Sequence, residues 1–280
     1  MLAYRHLFHA GNFADVHKHA LLARLVARMR RKPNAFRYID THAGIGRYDL
    51  THEWARKNAE FADGIARVWE VSDAPAPLNA YLGLVRKLNA GGRLRFYPGS
   101  PALVQARLRA HDRAVLSELN AKDCVVLTEC FAQDRRITVI HQDGYQTLRS
   151  HLPPPERRGL VLVDSSFDRS GEYERLALAL REAHRRFATG VFALWYPLMG
   201  AAAVAAFERK LVASGIRKML VCSLEVYPPS WTASLRGCAL VIVNPPFGFE
   251  AEARTISTWL APRLARQGEG RTRVDWLVPE

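Results

Sequence analysis

Acidic and glycine residues follow three apolar segments of the chain, at the points where each segment ends. A glycine turn containing His42 and Gly44 follows the first segment. Glu118 closes the second segment, and Asp143 with Gly144 follows the third. Glycine lets the backbone approach a ligand closely, while the two acids suit a ribose diol and an adenine amino group. In this order, the residues are typical of an S-adenosylmethionine (SAM) site.

The glycine turn does not fit the dinucleotide fingerprint G-x-G-x-x-G. Its two glycines are Gly44 and Gly46, and the fingerprint requires glycine or alanine three residues later, where this chain has Asp49. A nicotinamide-dependent dehydrogenase is therefore disfavoured. Binding of NAD without binding of SAM would revive that interpretation.

The fourth apolar segment ends in residues that could carry out methyl transfer. Methyltransferases of exocyclic amines have [DN]-P-P-[YF] at this point, and the chain has Asp164-Ser165-Ser166-Phe167. Asp164 and the carbonyl oxygen of Ser165 could accept the amino hydrogens, and Phe167 could stack on the base. Each missing proline relaxes the unbound loop by roughly 0.4–1 kcal/mol of conformational entropy.

A literal N-P-P-F sequence occurs at residues 244–247 and offers a second catalytic candidate. It follows the last strand of a predicted hairpin, whereas Asp164 follows the strand directly after Asp143. Position therefore favours Asp164 over Asn244. We interpret the prolines at residues 245 and 246 as the end of an edge strand.

Histidines and cysteines raise the question of a metal site, which their spacing does not favour. The histidines lack a cysteine or carboxylate at ligand spacing, and a helix would place residues 17 and 19 on different faces. The four cysteines form no C-x-x-C pair, so neither a zinc site nor a disulfide framework is expected. We expect no metal. The N-terminal histidines are His6, His9, His17 and His19.

Charge favours a polyanionic partner. The 280-residue chain has a formal net charge of +13, and its hydrophobic fraction of 49% disfavours disordered, collagen-like and coiled-coil classes. Most of the positive charge is arginine, which binds phosphate bidentately. Many basic pairs are only solvated faces, and we expect fewer than half of the candidates to contact a nucleic acid. The candidates lie at residues 30–32, 86–87, 93, 95, 135–136 and 185–186.

The N-terminal residues carry charges and histidines where a secretory signal needs an apolar run, so we expect a cytoplasmic protein. An uncharged stretch at residues 190–207 imitates a membrane span, but Pro197 and Gly200 interrupt it. We interpret this stretch as a buried strand followed by a helix. No membrane partner is expected.

Strands and helices alternate along most of the chain, as in a parallel, doubly wound sheet. The first helix is predicted to begin at Asp15, as its N-cap, and to end near Arg30. The apolar stripe of this helix includes His19, so that side chain is expected to face inward.

The expected fold is α/β and Rossmann-like, with a mostly parallel, seven-stranded sheet, a C-terminal antiparallel hairpin and a small helical insertion. The hairpin is predicted because strands at residues 217–227 and 235–244 have no helix between them. Residues 51–94 are the predicted insertion. Residues 1–50 and 95–280 are the predicted SAM-dependent methyltransferase domain.

Seven longer segments are specific and correctly ordered: MLAYRHLFHAGNFADVHKH, YIDTHAGIGRYDL, FYPGSP, RRGLVLVD, RRFATGVFALWYP, GIRKML and WLVPE. Together they resemble the ribosomal RNA large subunit methyltransferase J family, over essentially the whole chain. Members of that family are cytoplasmic enzymes that use SAM to methylate N6 of a single adenine in 23S ribosomal RNA. The resemblance implies SAM as the cofactor and 23S rRNA, free or partly assembled, as the partner. A monomer is expected.

Matched motif by motif, the resemblance implies one RNA contact, a catalytic loop and a set of cofactor contacts. Tyr4 matches the aromatic residue that meets the RNA, and Asp164 matches the catalytic acid, with Ser165 and Phe167 beside it. The loop of the family is D-P-P-[YF], so Ser165 and Ser166 depart from it. The implied cofactor contacts are Lys18, His19, His42, Gly44, Ser100, Glu118, Asp143, Gly144 and Asp164.

Two functions are compatible with these residues. The leading hypothesis is an active SAM-dependent adenine-N6 methyltransferase of ribosomal RNA. The alternative is a catalytically impaired paralogue that binds SAM and RNA, because serines replace both prolines of the loop. Methyl transfer to RNA distinguishes the two.

Overall fold

The computed structural model describes residues 5–231, 235–268 and 270–280. Helices in this part of the chain cover both faces of one mixed sheet, which confirms the predicted α/β class. The strands are β1 (Arg37–Asp40), β2 (Arg47–Asp49), β3 (Phe96–Pro98), β4 (Arg113–Glu118), β5 (Ile137–His141), β6 (Gly159–Val163), β7 (Val191–Pro197), β8 (Met219–Glu225), β9 (Gly237–Val243) and β10 (Arg271–Val278). The α-helices are α1 (Phe13–Met29), α2 (Glu53–Asn58), α3 (Asn79–Leu88), α4 (Ser100–Gln105), α5 (Ala121–Phe131), α6 (Gly144–His151), α7 (Glu172–Arg186), α8 (Ala201–Ala213) and α9 (Phe249–Leu264).

Five neighbouring strands of the large sheet, β7, β6, β1, β4 and β5, are parallel. Strand β9 runs antiparallel to β7 and β8, which confirms the C-terminal hairpin. Strand β10 then pairs antiparallel with β8. Over the described residues the order is β10-β8-β9-β7-β6-β1-β4-β5.

The large sheet has eight strands within the described residues, so the predicted number of seven is wrong. The additional strand is β10, in which Val274 is the only fully buried side chain. An edge strand that buries so little has a weak apolar pattern in its sequence. The interpretation of residues 235–244 as an edge strand is also wrong, because β9 lies between β7 and β8 and all of its residues are buried.

Helix α1 begins two residues before the predicted position, and its N-cap is Asn12 rather than Asp15. The Asn12 side chain accepts a hydrogen bond from the Asp15 backbone N–H at 2.9 Å, as an N-cap residue does. Asp15 therefore lies in the first turn of the helix, where its side chain is free to point elsewhere. His19 is buried, as predicted.

Apolar side chains form one cluster on each face of the sheet. On one face, α1 and α9 pack through residues such as Leu22, Val26 and Ile256. On the other face, α7 and α8 contribute Leu176 and Phe207. Burial of such side chains stabilises the fold by about 1.5–3 kcal/mol each. The sheet is therefore covered on both sides, and its strand ends are left for ligands.

The segment at residues 51–94 contains α2, α3 and three short 3-10 helices, between the paired strands β2 and β3. Its buried side chains Ile65, Tyr81 and Val85 join the same apolar cluster as α1. The segment thus packs on the face of the sheet that α1 covers. Its treatment as a separate insertion stays a prediction.

The uncharged stretch at residues 190–207 forms β7 and then the first half of α8, which confirms the predicted strand and helix. Among the helices of the described residues, none combines the length and the apolar character needed to cross a membrane.

Candidate functional site

The site lies where the parallel strands β6, β1, β4 and β5 end. Asp164 follows β6, His42 and Gly44 follow β1, Glu118 ends β4, and Asp143 follows two residues after β5. Because the carboxyl ends of neighbouring parallel strands meet at one edge, these residues come together. They line a cavity of about 460 Å³. Further predicted residues that line it are Lys18, His19, Ser100, Ser165 and Phe167.

Two glycines allow close packing at this edge, Gly44 against a side chain and Gly144 against the backbone. Gly44 has a φ of +61°, and a Cβ atom there would lie 2.3 Å from the Tyr48 hydroxyl oxygen. A Cβ atom on Gly144 would lie 2.3 Å from the carbonyl oxygen of Thr41. Gly144 does not itself line the cavity. Its lack of a side chain lets the N-terminus of α6 pack against the turn that follows β1.

The backbone orients two of the three acids that were predicted to contact the cofactor, Glu118 and Asp143. Glu118 accepts hydrogen bonds from the backbone N–H groups of Gly44, at 2.9 Å, and Asn120, at 2.7 Å. Burial raises the pKa of Glu118 above its ordinary value. Asp143 caps α6, since Oδ1 accepts from the backbone N–H groups of Tyr145 and Gln146. Each carboxylate is therefore held in place before any ligand arrives.

Ser100 contacts a buried acid behind the cavity. Its hydroxyl donates to Oδ2 of Asp40 at 2.7 Å, and the Tyr38 hydroxyl donates to the same oxygen at 2.7 Å. Asp40 is fully buried, and burial raises its pKa to about 6 despite these hydrogen bonds. Ser100 thus helps to fix the turn after β1 as well as lining the cavity.

Two of the predicted cofactor contacts are uncharged imidazoles at neutral pH. Nδ1 of His19 shares a hydrogen bond of 2.8 Å with the Tyr97 hydroxyl, and burial lowers the pKa of His19 to about 3. Nδ1 of His42 shares one of 2.8 Å with the Thr41 hydroxyl, and burial lowers its pKa also. Neutral imidazoles can donate to or accept from polar ligand groups without adding charge.

A buried lysine connects the first helix to the loop after β6. Nζ of Lys18 lies 2.6 Å from Oδ2 of Asp164 and 2.8 Å from Oδ1 of Asp15. Oδ2 of Asp15 accepts from the Gly11 backbone N–H at 2.9 Å and lies 2.9 Å from Nε2 of His6. One ammonium group thus bridges two carboxylates, one of them the predicted catalytic acid.

The charges of this cluster stabilise one another. Burial alone would raise the pKa of Asp15, but His6 and Lys18 hold it well below its ordinary value. Burial would likewise lower the pKa of Lys18, but Asp15 and Asp164 hold it well above its ordinary value. Both groups are therefore ionised at neutral pH. A buried ammonium with two carboxylate partners satisfies the requirement that buried charges be paired.

Asp15 is a residue of the site that the sequence reasoning missed, because it was assigned only as a helix cap. The signal that could have found it is spacing. Asp15 lies three residues before Lys18 and four before His19, so all three share one face of α1. Two predicted cofactor contacts on the same face as a buried acid indicate a charge cluster.

The loop after β6 brings its acid and its aromatic residue to the cavity. The Ser165 hydroxyl is buried and makes no hydrogen bond of ordinary geometry with the described residues, while the Ser166 hydroxyl donates to Asp168 at 2.6 Å. Phe167 has a φ of +52°, and its ring packs edge-on against Tyr173 at 4.9 Å. A left-handed backbone at a residue with a side chain is strained and is found at functional sites.

The second catalytic candidate lies away from this cavity. Strand β9 is antiparallel to β7, so Asn244 emerges at the opposite edge of the sheet, beside residues that precede β7. Nδ2 of Asn244 donates to the carbonyl oxygens of Ala188, at 2.8 Å, and Gly190, at 2.9 Å. Phe247 is 97% exposed. Asn244 therefore lies outside the cavity, and its side chain holds the backbone that precedes β7.

Three further points of the sequence analysis concern the RNA contact at Tyr4, the histidine at position 17 and a metal site. Tyr4, the predicted RNA contact, lies outside the described residues. His17 is buried and shares a hydrogen bond of 3.0 Å with the Ser257 hydroxyl, which explains it without a metal. In the described chain, no group of three or more His, Cys, Asp or Glu side chains could hold a metal ion.

Comparisons with known proteins agree over the length of the chain. The family described as "Ribosomal RNA large subunit methyltransferase D, RlmJ" matches residues 33–278. Two proteins named "Ribosomal RNA large subunit methyltransferase J", from Escherichia coli and Haemophilus influenzae, are 40% and 39% identical to the chain and align over all of both sequences. A crystal structure of a Legionella pneumophila protein superimposes with a TM-score of 0.89 at 33% identity, covering 96% of this chain and 98% of that one.

Proposed function

The chain belongs to the ribosomal RNA large subunit methyltransferase J family, and from this premise we propose that it transfers a methyl group from SAM to N6 of a single adenine in 23S ribosomal RNA. The observation that carries the proposal is the position of Asp164 at the cavity. It follows a parallel strand, lines the 460 Å³ cavity and is held by a buried ammonium group at 2.6 Å. The same cavity holds the acids suited to a nucleoside.

The donor set of the cavity fits SAM. Glu118 suits the ribose diol, because its carboxylate is already aligned by two backbone N–H groups. Asp143 suits the adenine amino group, and the close approach at Gly144 leaves the helix N-terminus beside it. Lys18, His19, His42, Gly44 and Ser100 complete the proposed cofactor site. When bound there, SAM supplies an electrophilic methyl group on a positively charged sulfur.

Asp164 acts on the substrate amine in this proposal. The nitrogen at N6 of adenine becomes nucleophilic only when its lone pair is released from the ring. Because Lys18 binds Oδ2, the other oxygen, Oδ1, is left to accept an N–H of the amine. The carbonyl oxygen of Ser165 would accept the second hydrogen, which orients the nitrogen lone pair toward the methyl group.

Phe167 and its neighbours supply an apolar wall for the flipped base. The Phe167 ring packs against Tyr173 and also against Trp195, with ring centroids 5.9 Å apart. Trp195 and Met199 line the same cavity. Stacking on aromatic side chains is how enzymes hold a base that has left its helix. Excluding water there strengthens the hydrogen bonds to Asp164.

The experiment is transfer of labelled methyl from SAM to unmodified 23S rRNA, followed by nucleoside analysis of the product. We expect one N6-methyladenosine per RNA molecule, with Glu118→Ala lowering SAM affinity. Methylation at another atom, or SAM binding with no transfer to any RNA, would contradict the proposal. The relatives give no support to an impaired paralogue, and an inactive chain with intact SAM and RNA binding would reinstate it.

The surroundings of the reaction follow from its substrate. Because 23S rRNA is made and assembled in the bacterial cytoplasm, we propose that the enzyme acts there, on free or partly assembled RNA. We also propose that it acts as a monomer, since the described residues of one chain supply the whole cavity. Sedimentation of the active protein tests that state.

A further inference from the structure

A second surface of the molecule combines exposed cations with aromatic rings and begins at the rim of the cavity. We call it the insertion face and define it by Arg47, Trp54, Arg56, Lys57, Arg93, Arg95 and Phe96. It covers strand β2, helix α2 and the start of strand β3. None of these residues belongs to the cavity or to the proposed catalytic loop.

The insertion face is continuous with the cavity through the N-terminal segment. His6 and Tyr48 both line the cavity, and their rings lie 5.1 Å apart. Successive side chains of a strand point to opposite sides, so Arg47 points outward while Tyr48 points inward. Phe8, two residues after His6, stacks on Trp54 at 5.4 Å with an interplanar angle of 12°. RNA that enters the cavity would therefore meet this face.

Four of its cations are available to a partner. Arg47, Arg56, Lys57 and Arg93 are exposed, and none of them forms an ion pair with any residue that the structure describes. Only Arg95 is paired, with Asp49 at 2.9 Å. Unpaired cations near the cavity are suited to neutralise the phosphate groups of a nucleic acid.

Several basic residues elsewhere in the chain are used by the protein itself. The Arg86 guanidinium donates to the carbonyl oxygens of Trp69 and Val71, and Arg136 pairs with Asp134. Arg109 donates to Asp112 and to carbonyl oxygens of residues 32–34. These arginines hold loops and carboxylates, so their side chains are not free for phosphate.

Aromatic rings on the insertion face are arranged for stacking. The guanidinium carbons of Arg47 and Arg95 lie over the Phe96 ring at 5.3 and 4.8 Å, so both cations are held at the surface by cation–π contacts. The Trp54 indole rests on Phe8 but is still 38% exposed. An exposed indole among arginines suits a nucleic acid better than an acidic protein segment, because every nucleotide carries a planar base beside its phosphate.

We propose that the insertion face binds the RNA strand that flanks the target adenosine, with Arg47, Arg56, Lys57 and Arg93 on phosphates and Trp54 on a base. The inference rests on the proposed function for the identity of the RNA. It assigns a role to the segment at residues 51–94, which would hold the RNA while the cavity receives a single base.

A matched pair of double variants tests the phosphate contacts. Arg56→Ala with Lys57→Ala removes two cations from the last turn of α2, and Arg185→Ala with Arg186→Ala removes two from the last turn of α7. Affinity for unmodified 23S rRNA is measured by filter binding at several salt concentrations. We expect the α2 variant to weaken binding roughly tenfold or more and to flatten the salt slope by about 0.7–0.9 per lost contact.

Trp54 is tested by the pair Trp54→Ala and Trp54→Phe. Loss of a stacked base should weaken RNA binding roughly 5- to 150-fold in the alanine variant, and phenylalanine should restore most of it. SAM affinity should stay within twofold of wild type in all variants, which checks folding.

The outcomes separate the two proposals. If the α2 variant binds RNA no more weakly than the α7 variant, the insertion face does not contact RNA, whatever the methyl-transfer result. If the α2 variant and Trp54→Ala lose RNA affinity but wild type transfers no methyl group, the insertion face is supported and the proposed function fails. Loss of binding to an acidic protein with unchanged RNA binding would overturn the inference.

Discussion

Two segments of this chain share a catalytic-loop pattern and lie at opposite edges of one sheet. The segment at residues 244–247 matches N-P-P-F to the letter, and the one at 164–167 has lost both prolines. Only the second lies in the cavity, because it follows the parallel strand β6, whereas the first follows the antiparallel strand β9. Strand direction, rather than the match to a motif, decides which loop reaches this cavity.

The two segments also differ in what holds them. Asp164 is tied by a buried lysine to a second buried acid, while Asn244 makes neutral hydrogen bonds to two backbone carbonyl oxygens. Ion pairs within the charge cluster hold the Asp164 side chain in a fixed position at the cavity. Neutral side-chain contacts to a loop stabilise structure alone.

Replacing the polar residue of each segment by alanine should give the largest difference in kcat between the two segments. Asp164→Ala removes the acceptor for the amine, and positioned proton acceptors contribute about 100-fold or more to rate, so kcat should fall by at least that factor. Asn244→Ala should leave kcat unchanged and cost about 1–2 kcal/mol of unfolding free energy. Methyl-transfer kinetics with denaturant unfolding measure both. Equal losses of kcat in the two variants would refute the assignment of catalysis to Asp164 rather than to Asn244.

Asp15→Asn tests whether a buried ion pair contributes more unfolding free energy than an exposed one. It leaves Lys18 with one carboxylate partner, and breaking a buried ion pair costs about 3 kcal/mol of unfolding free energy or more. The control is Asp123→Asn, which breaks the half-exposed pair with Arg5 at a similar distance, 2.9 Å, and should cost less than about 1 kcal/mol. Urea unfolding of the two variants gives the comparison, and similar costs would argue against the charge cluster.

His17, a buried histidine of α1, should make the free energy of unfolding sensitive to acid. Burial lowers the pKa of His17 to about 3, so the folded protein leaves it neutral between pH 6.5 and 3 while the unfolded chain protonates it. Stability should therefore fall as pH drops below 6.5, by up to roughly 1.4 kcal/mol per pH unit for each such histidine.

His17→Gln isolates this contribution. Between pH 6 and 4 its unfolding free energy should depend on pH less steeply than that of wild type, by about one bound proton. Above pH 7 the two curves should run parallel, because both states then leave the histidine neutral. Unchanged steepness in the acid range would mean that His17 becomes protonated in the folded state.

Restoring the prolines of the loop should have the smallest effect. No backbone hydrogen bond between loops or turns of the described chain is donated by Ser165 or Ser166, so proline at either position breaks none of them. Each proline should stabilise the loop by roughly 0.4–1 kcal/mol, and transfer by Ser165→Pro with Ser166→Pro should rise less than tenfold. A chain that transfers methyl only as the double-proline variant would show that rigidity limits catalysis.

From the sequence, we could predict those residues of the site that lie directly at the ends of strands. Glu118, Asp143 and Asp164 were assigned from apolar segments and their ends, because the carboxyl ends of parallel strands meet. The sequence did not predict β10, whose pattern is weak at the sheet edge, or Asn12 as the cap of α1. It also did not predict that Lys18 and Asp164, 146 positions apart, share a hydrogen bond.

The sequence by itself determined the family, the α/β class and the order of acids along the chain, because apolar periodicity and motif spacing are local properties. The tertiary structure alone decided which of two matching loops faces the cavity, and that one buried ammonium joins Asp15 to Asp164. Such contacts depend on strand direction and on helix packing over long separations. Their energies arise from burial, which the chain acquires only when it folds.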